Sequence, residues 1–156
     1  MDNIVEIAVL VAAVGYEIFN QVKGQSLHGR RLVLLPAVLI FMGVTGLAGM
    51  SGVGTADVAC LAASALIAAA IGLGQGALTR LQVRGGALWG RLPGRGLWLW
   101  AALIVSRVAI VVAAHAVGAD AAASLDSIVL ALGINRLAQA GVIAARSTRT
   151  EAPLAL

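Results

Sequence analysis

The chain has 156 residues, of which 60% are hydrophobic and only 12% charged, and its mean hydropathy is +0.97. Soluble domains carry about 25% charged residues, so the composition excludes an ordinary water-soluble globule and leaves room for roughly four to six spans of about 20 residues. A single cysteine, Cys60, excludes an intrachain disulfide, a C-x-x-C redox pair and a cysteine-based metal site.

The first apolar run, about 3–22 (NIVEIAVLVAAVGYEIFNQV), follows a start without the positive segment of a signal peptide, so it is expected to remain as a span. It carries Glu6 and Glu17, eleven positions apart, which at 100° per residue lie within about 20° of one helix face. Asp2, Glu6, Ala13, Glu17 and Asn20 thus form a stripe expected to face the bundle interior or a water-filled groove.

The next two runs, about 32–50 and 58–78, hold no charge. Pro36 falls in the first turns of the former, where proline is tolerated. Glycines recur in both, at Gly43, Gly46 and Gly49 and at Gly72, Gly74 and Gly76. Small residues let helix backbones approach closely in lipid, so this pair is expected to pack together, within the protomer or at a homo-oligomer contact. GLGQG lies inside a span and lacks the strand–turn–helix context of a nucleotide loop. Gln75 within it reads as a helix–helix hydrogen-bonding group, or else as a polar group lining a pore or ligand site.

The connection 79–96, TRLQVRGGALWGRLPGRG, suits two structures. Alternation in RLQV and ALWGRL around Gly85-Gly86 predicts a small hairpin, with Leu81, Val83, Leu88 and Trp89 against headgroups; an irregular basic loop fits as well. Trp98 and Trp100 read as interface anchors of the fourth span, about 97–119, which contains Arg107. The fifth span, about 122–145, contains Asp126 and Arg136.

Orientation follows from the basic residues. Lys23, Arg30, Arg31, Arg80, Arg84, Arg91, Arg95, Arg146 and Arg149 all flank one side, and the connections on the other side hold none. The expected fold is an all-α integral membrane protein: one domain of five transmembrane helices, N-terminus outside and C-terminus cytoplasmic. The Ala-, Gly- and Arg-rich composition suggests a bacterium, hence its plasma (inner) membrane. The same asymmetry accounts for a pI near 10.6 without a nucleic-acid partner, and points to anionic lipid headgroups at the cytoplasmic face.

At 1.5 Å per residue, Arg107 and Arg136 lie about 15 and 13 Å from the cytoplasmic ends of their spans, and Glu17 about 7 Å. A central arginine costs about 2.5–3.5 kcal/mol even on the lenient insertion scale. Glu17 is the expected partner of Arg136, of Arg107 or of both, with Asn135, Asn20, Ser106 and backbone carbonyls beside the glycines adding hydrogen bonds. Glu17, Arg107, Arg136 and Asn135 form the candidate site, read either as a structural ion pair or as a cavity for a small anionic or amphipathic ligand. Near the outer surface Glu6, His115 and Asp126 share a depth and suggest a second polar cluster. One histidine and loose spacing argue against a metal there, and no cofactor motif is recognisable.

Gly29-Arg30-Arg31-Leu32, Thr79-Arg80-Leu81, Gly86-Ala87-Leu88-Trp89, Leu97-Trp98-Leu99-Trp100 and Arg107 together resemble the CcdC-like family of small bacterial membrane proteins. The resemblance covers about 25–110 and implies a five-helix inner-membrane protein linked by name to cytochrome c maturation. The family's biochemical role is largely undefined; a lone Cys60 cannot run a thiol–disulfide relay, which leaves an accessory or scaffolding role open. Three functions are therefore weighed: ligand binding or transport at the charged site, a non-enzymatic accessory role, and intramembrane acid–base catalysis by Glu6, Asp126 or Glu17.

Overall fold

The computed structural model describes residues 2–27 and 29–149. The chain is mostly helical: α1 (Asp2–Lys23), α2 (Gly29–Ala48), α3 (Thr55–Leu78), α4 (Leu97–Ala116), a single turn α5 (Asp120–Ala123) and α6 (Leu125–Ser147). Three segments, Thr55–Leu78, Gly94–Ala116 and Leu125–Ser147, are long and apolar enough to cross a membrane, and in α2 the shorter stretch Leu32–Ala48 is apolar. The last predicted span is interrupted. Ser124 is extended (φ −70°, ψ 160°) and its hydroxyl accepts from the Ser127 N–H, so α6 starts afresh behind a serine cap.

α6 is the axis of the fold, and glycine decides what reaches it. On α3, a Cβ at Gly76 would lie 2.8 Å from both the Gln139 carbonyl oxygen and the Val142 Cβ, and Gly72 abuts the Asn135 carbonyl. On α2, a Cβ at Gly43 would lie 2.7 Å from the Leu130 Cβ, and Gly46 receives the Asp126 carboxylate. Gly133 of α6 answers by admitting Ile40. The order of these contacts makes α3 parallel and α2 antiparallel to α6. The expectation that α2 and α3 pack on each other within the protomer is therefore corrected: both glycine faces close on α6, and the two helices make little direct contact.

At one end of the helices lies a three-stranded antiparallel sheet of order β1–β3–β2, with β1 Gln25–Ser26, β2 Arg80–Arg84 and β3 Ala87–Arg91. Between the two alternatives for 79–96 the hairpin forms. Gly85 and Gly86 both have positive φ (57° and 79°), as a two-residue turn matched to strand twist demands. β1 was not legible beforehand. It arises because Gly24 (φ 86°) ends α1, its N–H bonding the Asn20 carbonyl, and turns the chain along β3. Leu88 is fully buried and packs with Leu27 and Ile143, with Leu32 and Leu81 beside them. This face thus turns inward, not onto headgroups; Val83 remains exposed.

At the opposite end Gly118 (φ 71°) reverses the chain, and α5 tucks Ala119 and Ala122 against Ala114, Cys60 and Leu61.

Candidate functional site

Glu17 and Arg136 meet. The Arg136 Nη2 lies 2.9 Å from Glu17 Oε2, with the guanidinium side chain 8% exposed and the carboxylate 28%. The remaining donors and the π face are used by a small network. Arg136 Nη1 donates to Gln139 Oε1 (2.8 Å), which also accepts from Gln21 Nε2 (3.1 Å). Gln21 Oε1 accepts from the Trp100 indole N–H (3.1 Å), and the Trp100 ring stacks 5.0 Å from the Arg136 guanidinium. Helices α1, α4 and α6 are thereby tied together by one buried cation satisfied on several sides.

Gln21, Gln139 and Trp100 were not predicted. Gln21 was read at the very end of a span, and Trp100 as an interface anchor. The signal for Trp100 was available, because residues two apart on a helix project about 200° apart; Trp98 is 79% exposed while Trp100 is 2% exposed.

Beside this network lies a half-open cavity of about 730 Å³. Tyr16, Glu17 and Asn20 of α1 form one wall, Leu32, Leu35, Pro36 and Leu39 of α2 another, and Arg136, Gln139 and Ile143 of α6 the back. Leu27, Gly90 and Leu92 floor it at the sheet end. Pro36, two turns into α2, has no N–H for the Leu32 carbonyl, and both residues line the cavity.

Arg107 is elsewhere. Its Nη1 donates to Ser64 Oγ (2.8 Å) and its Nη2 to the Ala122 carbonyl (3.1 Å) and to Ser127 Oγ. Among the described residues no carboxylate pairs with it; hydroxyls and a carbonyl at the end of α5 carry the charge. Asp57 holds the same turn from the other side: Oδ1 accepts from the Ala122 N–H (3.1 Å) and Oδ2 from Gly54 (3.0 Å). The expectation of a shared site for both arginines is thus corrected. They lie at similar depth, yet Arg136 reaches toward the sheet end and Arg107 toward the opposite end.

Asn135 joins neither arginine. It is fully buried, its Nδ2 donates to the Ala68 carbonyl (3.0 Å), and its Oδ1 has no partner among the described residues. Gln75 is also fully buried, and neither of its side-chain polar atoms finds a partner there, so the expected helix–helix hydrogen bond is not made. Ser106 bonds back to the Leu103 carbonyl of its own helix. Of the outer cluster, His115 and Asp126 make separate contacts. His115 is exposed and bonds the Val111 carbonyl one turn back, whereas Asp126 packs on Gly46; the side chain of Glu6 lies outside the described residues.

No known protein family, curated protein or solved structure matches the chain. The chemistry must be read from the site itself. Its charges cancel, it is walled by leucines on one side and by hydrogen-bonding groups on the other, and its mouth lies between α1 and α2. Such a cavity suits a molecule with a compact polar end and an apolar body.

Proposed function

We propose that this is a five-span bacterial inner-membrane protein, N-terminus outside, that binds or moves a small amphiphile taken laterally from the bilayer. α1 and α2, at 22 and 20 residues, are long enough at 1.5 Å per residue to complete the bundle. Basic residues at the sheet end support placing that end in the cytoplasm. The short motifs that resemble the CcdC-like family would fit this topology.

The observation that carries the reading is the cavity reaching the Glu17–Arg136 pair. Because Glu17 already balances Arg136, the site demands no further anion, which favours a neutral or zwitterionic polar end over the anionic one. That end would hydrogen-bond near Glu17, Asn20 and Gln139, with its apolar body along Leu35 and Leu39.

The test is lipid analysis of the purified full chain by native mass spectrometry, comparing wild type with Leu35→Trp, which fills the mouth, and Glu17→Ala. Retention of one amphiphile by the wild type, lost in both variants, is expected. Equal retention in all three, or none in any, would instead favour the accessory role, with the charges serving only to set helix pairing.

A further inference from the structure

The face of the sheet turned away from the bundle carries a concentration of positive charge. The register Arg80↔Arg91, Gln82↔Trp89 and Arg84↔Ala87 places Arg80, Gln82, Arg84, Trp89 and Arg91 on one side, opposite the face that holds Leu88. Lys23, at the end of α1, joins them around a groove of about 440 Å³. Directly opposed residues have Cβ atoms about 4.5–5.5 Å apart, and like charges there are destabilising. Arg80 and Arg91 stand in that relation. Arg91 is further fixed by its Nε donating to the Val22 carbonyl (3.0 Å), which holds its stem against α1 and presents the terminal nitrogens outward.

No carboxylate of the described residues offsets this charge. Glu17 pairs with Arg136, and Asp57, Asp120 and Asp126 belong to the other end of the helices. The groove also has a definite height: α1 ends at Lys23 beside it, and Pro93, on its rim, precedes α4 and the exposed Trp98. For helices that cross a bilayer, this is headgroup level.

We propose that this groove binds the phosphate of an anionic phospholipid headgroup, held by Arg80, Arg84, Arg91 and Lys23 through charge-assisted hydrogen bonds, with Trp89 against the glycerol. The proposal rests on the membrane-spanning part of the reading above and not on the cavity. A bound phosphate explains why opposed arginines are kept: it turns their repulsion into a shared counter-ion.

The test uses the full chain in a neutral detergent, titrated separately with dioctanoyl-phosphatidylglycerol, dioctanoyl-phosphatidylcholine and inorganic pyrophosphate, with bound stoichiometry read by native mass spectrometry. Phosphatidylglycerol should bind one-to-one and at least tenfold more tightly than phosphatidylcholine. Arg80→Gln/Arg91→Gln should weaken it at least tenfold, while Arg95→Gln, outside the groove, and Leu35→Trp, in the cavity, leave it unchanged. Without lipid the double variant should unfold no earlier than wild type, since it relieves like-charge opposition. Equal binding of phosphatidylcholine, equal binding by the double variant, pyrophosphate binding as tightly as the lipid, or early unfolding of the lipid-free double variant would each overturn the proposal.

Discussion

Gly76→Ala tests whether α6 is the element on which α3 closes. The added methyl would sit 2.8 Å from the Gln139 carbonyl oxygen and 2.8 Å from the Val142 Cβ, against 3.4 Å or more for ordinary contact. One helix must therefore retreat by about 0.6 Å, the difference of those distances. Neither obstacle can rotate away, because one is backbone and the other a Cβ. Overpacking of this kind costs about 1–3 kcal/mol, and replacing a helical glycine by alanine returns about 0.5–1 kcal/mol. The net expectation is a destabilisation of about 1–2 kcal/mol, or roughly a five- to thirtyfold shift in the unfolding equilibrium. The control is Gly141→Ala on α6, where nothing lies within 4 Å of the new methyl; it should be neutral or stabilising by up to about 1 kcal/mol. Equilibrium denaturation in mixed micelles, followed by far-UV circular dichroism, measures both. If Gly76→Ala were as stable as wild type, or Gly141→Ala equally damaging, the packing argument would be refuted.

Glu17→Gln should destabilise by about 1–3 kcal/mol, less than the 3–5 kcal/mol of a fully buried broken pair, because Glu17 faces the cavity and Arg136 keeps Gln139 and Trp100; the same denaturation assay reads it, and an unchanged midpoint would argue against the pair. Asp57→Ala strips acceptors from the Gly54 and Ala122 N–H groups and should lower the unfolding temperature, with Asp57→Asn, which keeps one acceptor, roughly half as harmful. If Asn proves as damaging as Ala in thermal unfolding, the negative charge matters more than the hydrogen bonds. Gly86→Ala, at φ 79°, should cost about 1 kcal/mol and increase proteolytic nicking of the hairpin, whereas Gly86→Asn should be tolerated; equal nicking of both would contradict the turn type.

Helix positions were legible because apolar runs of about 20 residues leave few alternatives, and the hairpin was legible as one of two readings of 79–96 because Gly85-Gly86 sits between alternating segments. The Glu17–Arg136 pairing was only half legible. Depth along each helix brought Glu17 within reach of both arginines, and rotation about the helix axis, which depth does not contain, chose between them. Arg107 found its partners on α3, α5 and α6, and α5 is a turn between Gly118 and the Ser124 cap where the sequence offered only a short connection and the start of the fifth span. The glycines announced close approach without naming the partner, since small-residue spacing is the same whichever helix fills it. Gln21 and Gln139 were passed over because an amide near a helix end has an ordinary solvated explanation.

Because α2 and α3 close on α6 more than on each other, the place of each is set by a helix that follows both in the chain. Both glycine faces precede in the chain the helix they receive, and they have little contact with one another. The contacts that seat α2 and α3, from the Leu130 knob on Gly43 to the Arg146 side chain bonding the Gly76 carbonyl at the end of α3, come from α6, while α3 also packs on α4. α6 thus serves as a common template for two helices that scarcely touch, and removing it would leave α2 without its main neighbour while α3 kept α4.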